Sequence, residues 1–116
     1  MALKIRTSNP NDLLYKIKLG IYEKHIRTWT YTTHNTNQEY FSHVTSDSQW
    51  LGVAWLLPRI EADLLIFNII KPQNANVSSA AYAIYHGRFT EMLLAHFDNQ
   101  FSIVWATAMP ADGDMT

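Results

Sequence analysis

Apolar and polar residues alternate along two stretches of the chain, which is the pattern of a half-buried β-strand. Residues 2–7 (ALKIRT) place Leu3 and Ile5 on one face, and residues 26–33 (IRTWTYTT) place Arg27, Trp29 and Tyr31 on one face. The opposite face of the second stretch carries threonines, which are good strand residues whose hydroxyls tolerate water. We therefore predict two strands, the second with its threonine face exposed.

Longer apolar runs predict strands that are covered on both faces. Residues 50–57 (WLGVAWLL) predict a central strand, which Pro58 and Arg59 interrupt. Residues 60–70 (IEADLLIFNII) predict the next strand, its second half covered on both sides by the chain itself or by a partner subunit. Residues 39–45 (EYFSHVT) and 101–109 (FSIVWATAM) complete the predicted strands, and residues 34–38 (HNTNQ) predict a loop.

Helical periodicity begins at Asn9, a residue type that caps helices. Pro10 follows at the first helical position, where its missing N–H is tolerated. The apolar stripe of this helix consists of Leu13, Leu14, Ile17 and Ile21. We predict an amphipathic helix that covers a sheet.

A second, longer helix is predicted over residues 77–97, with Asn76 or Ser78 as its cap. The helix period places six side chains within one arc, and we expect this arc to face the sheet. Its members are Tyr82, Tyr85, Phe89, Met92, Leu93 and His96.

The predicted order is β-α-β-β-β-β-α-β over residues 1–109, followed by a flexible C-terminal tail at residues 110–116. This order predicts one α+β domain: a two-layer sandwich with a mostly antiparallel sheet and both helices on one face. Without one hairpin the order becomes βαββαβ, the ferredoxin-like arrangement. That analogy is topological and carries no function.

The long helix also carries a second stripe of mostly small side chains, and we treat it as a candidate interface. Glycine in a helix costs about 1 kcal/mol relative to alanine, so close packing would offset it. The packing partner is either the first helix or the same helix of a second subunit. The stripe consists of Ala80, Ala83, Gly87, Thr90 and Leu94.

Composition also favours self-association, but weakly. Charged residues make up 16% of the 116 residues, against about 25% in typical domains, and aromatic residues make up 13%. A surface with little charge and many aromatic residues favours a homodimer or a face that binds another protein. The alternative is a monomer with an uncharged polar surface.

Candidate catalytic side chains are few. His96 and Tyr85 share the sheet-facing arc, where they could line a pocket, whereas His86 borders that arc and His43 lies on a predicted strand. The commoner role for such a histidine is a packed ring with a hydrogen-bond partner. Arg88 and Glu91, three residues apart, predict a solvent-exposed ion pair.

Several classes of function have no support in the sequence. There is no cysteine, no HExxH and no helical i, i+4 pair among histidines 25, 34, 43, 86 and 96, so we expect no metal. The chain has no P-loop, GxGxxG or GxSxG motif, so we expect no cofactor. The net charge of −1 without a basic run argues against nucleic acid.

Membrane association is also not expected. The longest apolar run is too short to span a bilayer, and the first residues (MALKIRT) do not form the apolar stretch of a signal peptide. We therefore expect a cytoplasmic protein.

Two functional hypotheses follow. The first is a non-catalytic module that self-associates and binds a partner protein or a small molecule. The alternative is a small enzyme or sensor whose pocket lies between the long helix and the sheet and uses His96 and Tyr85, with His43 or His86.

Overall fold

A computed structural model of the chain describes residues 1–33 and 38–116. Most of the predicted loop 34–38, including His34, therefore lies outside the described residues. The elements are β1 (Ala2–Arg6), α1 (Pro10–Tyr22), β2 (Trp29–Thr33), β3 (Glu39–His43), β4 (Trp55–Glu61), β5 (Leu64–Ile70), α2 (Ser79–Phe97) and β6 (Ile103–Ala106).

The strands form one antiparallel sheet in the order β2-β3-β4-β5-β1-β6. β1 lies between β5 and β6, with Leu3 opposite both Phe67 and Ala106. Buried residues of both helices and of the sheet form a single core cluster. The α+β class with two layers is confirmed, and the ferredoxin-like analogy stays a prediction.

Aromatic rings occupy the centre of this core. Phe89 of α2 lies 4.8 Å from Trp29, 6.3 Å from Phe41 and 4.5 Å from Phe67, measured between ring centroids. All four side chains are at most 2% exposed. Trp29 therefore faces the core from β2, as the alternation predicted.

Local signals in the sequence place the helix starts correctly. Asn9 Oδ1 accepts a hydrogen bond from Asp12 N at 3.1 Å, and Pro10 occupies the first turn of α1. Ser78 caps α2, because its hydroxyl accepts a hydrogen bond from Ala81 N at 3.1 Å. Of the two predicted caps, Ser78 is therefore the right one. Among the described residues, neither helix combines the length and the apolar character needed to cross a bilayer.

The predicted boundary between the fourth and fifth strands was wrong. Residues 50–53 form turns, Pro58 and Arg59 lie within β4, and the chain reverses at residues 62–63, where Asp63 has a φ of 58°. Aspartate tolerates this left-handed conformation, which a tight turn requires. Proline is tolerated in a strand where its nitrogen is not needed for pairing. β3 pairs with β4 at Phe41–Leu56, which precedes Pro58, so Pro58 does not interrupt that pairing.

The C-terminal segment, predicted to be a flexible tail, lies against β5. Met115 N donates to the Ile69 carbonyl at 2.9 Å, and Lys71 N donates to the Met115 carbonyl at 2.6 Å. The Asp114 side chain is 1% exposed and accepts hydrogen bonds from Asn68 and Ala111. These bonds oppose fraying, while the flexibility of residues 110–116 stays a prediction.

Gly87 does not pack against α1, so the intrachain version of the small-residue contact was wrong. A Cβ atom built on Gly87 would meet nothing within 4 Å. Close packing occurs instead at Gly20 of α1, where a Cβ would lie 2.8 Å from Ile26 Cδ1. The two helices reach the same core through their apolar stripes, and the outward face of α2 at Gly87 is left open.

Alanine substitutions at these two glycines should have opposite effects. Gly87→Ala should raise the free energy of unfolding by about 0.5–1 kcal/mol, because the helix gains propensity and the new methyl group meets no atom. Gly20→Ala should lower it, because Ile26 would have to move. Urea denaturation of the two variants and the parent, at a protein concentration at which each is monomeric, measures both. Destabilisation by Gly87→Ala would show that this face is not open in solution.

Candidate ligand-binding site

A cavity of about 490 Å³ lies where α2 meets the end of the sheet formed by β2 and β3. This volume is within the range of small-molecule sites. Ile84, Arg88 and Glu91 face the cavity from α2, at the i, i+4, i+7 spacing of one helix face. The other lining residues are Arg27, Thr28, His43, Val44, Thr45, Ser46 and Trp50.

His43 is the histidine at this site, and its ring is held on several sides. The ring centroid lies 4.8 Å from that of Trp29 and 6.1 Å from that of Tyr85. His43 Nδ1 lies 2.8 Å from the Thr28 carbonyl oxygen. Because a carbonyl only accepts hydrogen bonds, Nδ1 carries the proton.

The second ring nitrogen of His43, Nε2, has no hydrogen-bond partner among residues 1–33 and 38–116. Burial of the ring lowers the pKa of His43 below its usual value, and the Arg88 guanidinium lowers it further. The hydrogen bond to Thr28, which is the second largest cause after burial, and the Glu91 carboxylate raise this pKa, but the net shift is downward. Near neutral pH, His43 therefore offers an unprotonated Nε2 as a hydrogen-bond acceptor beside the cavity.

Tyr85 lies in the core and holds Trp50, one of the residues that line the cavity. Its side chain is fully buried, and its hydroxyl donates a hydrogen bond to the Trp50 carbonyl. Tyr85 Oη also lies 2.9 Å from Ser42 Oγ, which accepts a hydrogen bond from Gly52 N at 2.9 Å. This network fixes the turn that carries Trp50, so Tyr85 acts on the cavity through another residue.

The charged groups of the cavity lie at its rim. Arg88 Nη1 and Glu91 Oε2 are 3.5 Å apart, and their side chains are 54% and 70% exposed, which confirms the predicted surface ion pair. Arg27 donates through Nε to the Lys24 carbonyl at 3.2 Å. The rim therefore combines two guanidinium groups with one carboxylate.

His96 does not reach this site, and its predicted place on the sheet-facing arc was wrong. His96 is exposed, although its neighbour Phe97 packs against the core. It lies in a shallow depression with Lys16, Glu23 and His25 at the C-terminal end of α1. Tyr85 is eleven residues earlier, about three helical turns away. The structure brings together His43 and Tyr85, but not His96 and Tyr85.

His86 lies on another side of α2, in a groove of about 370 Å³ between that helix and residues 106–108. Its side chain is 4% exposed, and Nε2 lies 2.8 Å from the Met1 carbonyl oxygen. Nδ1 is buried without a partner among the described residues. Burial, the largest cause, lowers the pKa of His86. His86 is therefore a buried neutral ring.

The two buried histidines predict a loss of stability in mild acid. Both have a folded-state pKa below the unfolded value of about 6.5, so the unfolded chain takes up protons first as the pH falls. The free energy of unfolding should fall from about pH 6.5 down to the folded pKa values, by at most about 1.4 kcal/mol per pH unit for each histidine.

Urea denaturation at about pH 7.5 and about pH 5.5 measures this loss of stability. His86→Phe should reduce it, whereas His96→Gln, which removes an exposed ring, is the control. Equal losses in the parent and in His86→Phe would contradict the assignment of His86.

Sequence reasoning missed Arg27 and Trp50 as members of the site. The alternation of the sequence placed Arg27 on the same strand face as Trp29, but it gave no sign of a cavity there. Trp50 was assigned to a predicted strand, whereas in the structure it lies in a turn.

Among the described residues, no group of three or more histidine, aspartate or glutamate side chains could hold a metal ion. Comparison with protein-family models, curated proteins and solved structures finds no match to the chain.

Proposed function

We propose that the protein is a non-catalytic module that binds a small molecule in the cavity beside His43. One observation carries this proposal: a held, neutral imidazole whose Nε2 has no partner among the described residues borders a cavity of about 490 Å³. Ligand sites typically combine apolar walls with a few such polar groups. Trp50 and Ile84 supply the apolar walls.

A fragment screen by NMR tests this proposal, with the Trp50 indole and the His43 ring as reporters. We expect a subset of fragments to shift both sets of resonances together. His43→Phe keeps the ring contact with Trp29 but removes Nε2, and should weaken those fragments about tenfold, the loss expected for one well-placed hydrogen bond.

His96→Phe is the matched control, because it makes the same change at an exposed site outside the cavity. It should leave fragment affinity unchanged. Two results would overturn the proposal: no fragment shifts the Trp50 and His43 resonances, or His43→Phe binds the fragments as tightly as the parent.

A second proposal is self-association through the open side of α2. The supporting observation is that a Cβ atom built on Gly87 would meet no atom of the described residues within 4 Å, while Leu94, two turns along the same stripe, is 53% exposed. β6 is the last strand of the sheet, paired with β1, and Ile103 on it is 51% exposed. A strand edge that pairs with no other strand among the described residues, beside a small-residue face, suits a second copy related by a two-fold axis.

Light scattering over a range of concentrations tests self-association. The parent should show a dimer whose population rises with concentration, and Gly87→Glu should lower it about tenfold, since a buried unpaired carboxylate opposes contact. Ala95→Glu introduces the same charge on the same helix outside the stripe and should have little effect. A parent that remains a monomer at every concentration would refute this second proposal.

A further inference from the structure

The charge at the rim of the cavity differs in sign from that of the whole molecule. The chain has a net charge of −1. The rim carries two guanidinium groups, Arg27 and Arg88, against the carboxylate of Glu91. Arg27 forms no ion pair with a residue in the described part of the chain, so its terminal nitrogens are available. The rim therefore has an excess of one positive charge.

Beside these cations lies an acceptor rather than a third donor. The Nδ1–H of His43 is bonded to Thr28, which leaves Nε2 to accept a hydrogen bond from a ligand. A ligand that fits this nitrogen must donate, through a hydroxyl or an N–H group. An anion without a hydroxyl or N–H group could bind Arg27 and Arg88 but could not donate a hydrogen bond to His43 Nε2.

The remaining walls are apolar. Trp50, Ile84 and Val44 line the cavity, and Trp50 is fixed by the hydrogen bond from Tyr85 to its carbonyl. A flat or branched apolar body can pack against these side chains. The cavity thus presents three chemically different contacts to one occupant.

We infer, on the basis of the proposed binding function, that the cavity takes a small organic monocarboxylate that carries a hydroxyl group next to an apolar body. The carboxylate pairs with Arg27 and Arg88, the hydroxyl donates to His43 Nε2, and the apolar body packs on Trp50. Arginine suits a carboxylate because its planar donors bind both oxygens.

The balance of charge favours a monoanion over a phosphate ester. A phosphate monoester carries a charge near −2 at neutral pH. The excess of one positive charge at the rim compensates a carboxylate fully but leaves a dianion partly uncompensated beside Glu91. The test therefore includes a phosphate of the same body as a competing class.

Four probes separate these contacts. Mandelate carries the carboxylate, the hydroxyl and a phenyl ring. Phenylacetate lacks the hydroxyl, and mandelamide lacks the charge. Phenyl phosphate lacks the hydroxyl and has a phosphate in place of the carboxylate, so it is compared with phenylacetate. Affinities come from titrations of the parent protein followed at the Trp50 indole. We expect mandelate to bind about tenfold more tightly than phenylacetate or mandelamide, and phenylacetate to bind more tightly than phenyl phosphate.

Variants assign each contact. Arg27→Gln and Arg88→Gln should each weaken mandelate about three- to tenfold without changing mandelamide. The loss should be greater for Arg88→Gln, which leaves Glu91 unpaired. His43→Phe should make mandelate and phenylacetate equal. Arg6→Gln removes the same charge at a position stacked over Trp105, outside the cavity, and is the control.

The outcomes distinguish this inference from the function on which it rests. If other fragments shift the Trp50 and His43 resonances but mandelate binds no better than mandelamide, the ligand class is wrong and the binding function stands. Tighter binding of phenyl phosphate than of phenylacetate also overturns the class. If neither the fragments nor the four probes shift those resonances, both proposals fail.

Discussion

Phe89→Ala should lower the free energy of unfolding by about 3–5 kcal/mol, the range for removing a buried aromatic side chain. Phe89 is fully buried and contacts the rings of Trp29, Phe41 and Phe67. These rings come from β2, β3 and β5, so one substitution removes contacts from α2 to three strands. The empty space cannot close easily, because the surrounding rings are held by other packing.

Urea denaturation measures this loss, with His96→Ala as the matched control on the same helix. His96 is exposed and lies outside both proposed binding surfaces, so its truncation should change stability by about 0.5 kcal/mol or less. A loss below about 2 kcal/mol for Phe89→Ala would mean that the core relaxes around the missing ring, and would contradict the packing described for α2.

Asp114→Ala should lower the free energy of unfolding by about 2–4 kcal/mol, although only Met115 and Thr116 follow it in the chain. Oδ1 accepts hydrogen bonds from Asn68 Nδ2 at 2.8 Å and from Ile69 N at 3.2 Å, and Oδ2 accepts one from Ala111 N at 2.7 Å. Removing the carboxylate takes a charged acceptor from all three donors, which raises the cost above that of a neutral hydrogen bond.

Asp112→Ala is the control for Asp114, because it removes the same charge from the same segment. Asp112 binds Asn68 through its backbone carbonyl, at 2.8 Å, and its side chain is exposed. It should therefore change stability little. Equally small losses for the two substitutions would show that residues 110–116 do not dock on β5 in solution, and would support the flexible tail that the sequence predicts.

The two proposed surfaces of α2 can be tested independently. Ile84, Arg88 and Glu91 face the cavity, whereas Ala83 and Gly87 face the groove beside β6, about a quarter turn away on the helix. His43→Phe should therefore leave the oligomeric state unchanged, and Gly87→Glu should leave fragment binding unchanged. If the two effects appear together, the proposed sites are coupled.

In α2, helical periodicity predicted the burial of most side chains on one arc, but not of all of them. Tyr85, Phe89, Met92 and Leu93 are buried, as their shared arc predicts. His96 belongs to the same predicted arc but is exposed, because the helix period gives a direction and not the residues that pack over each position. Only the tertiary structure determines which positions of the arc are covered.

At Pro58 the sequence predicted a strand boundary where the strand in fact continues. Proline usually interrupts a strand, so the sequence favoured a boundary at residues 58–59. In the structure β4 continues through Pro58, with Phe67 opposite it, and the chain turns at Asp63. Whether a proline is tolerated depends on which side of the strand needs an N–H donor, and strand order is a long-range property.

Alone, the amino-acid sequence determines the α+β class, the caps at Asn9 and Ser78, and the buried face of α2, since each depends on residues within a few positions of one another. The tertiary structure decides the rest. The cavity requires Thr28, His43, Trp50 and Arg88, which lie on four separate segments and meet only when β2 pairs with β3 and α2 packs across them. Local periodicity does not predict that these four segments come together, because their proximity depends on strand order and on packing between segments distant in sequence.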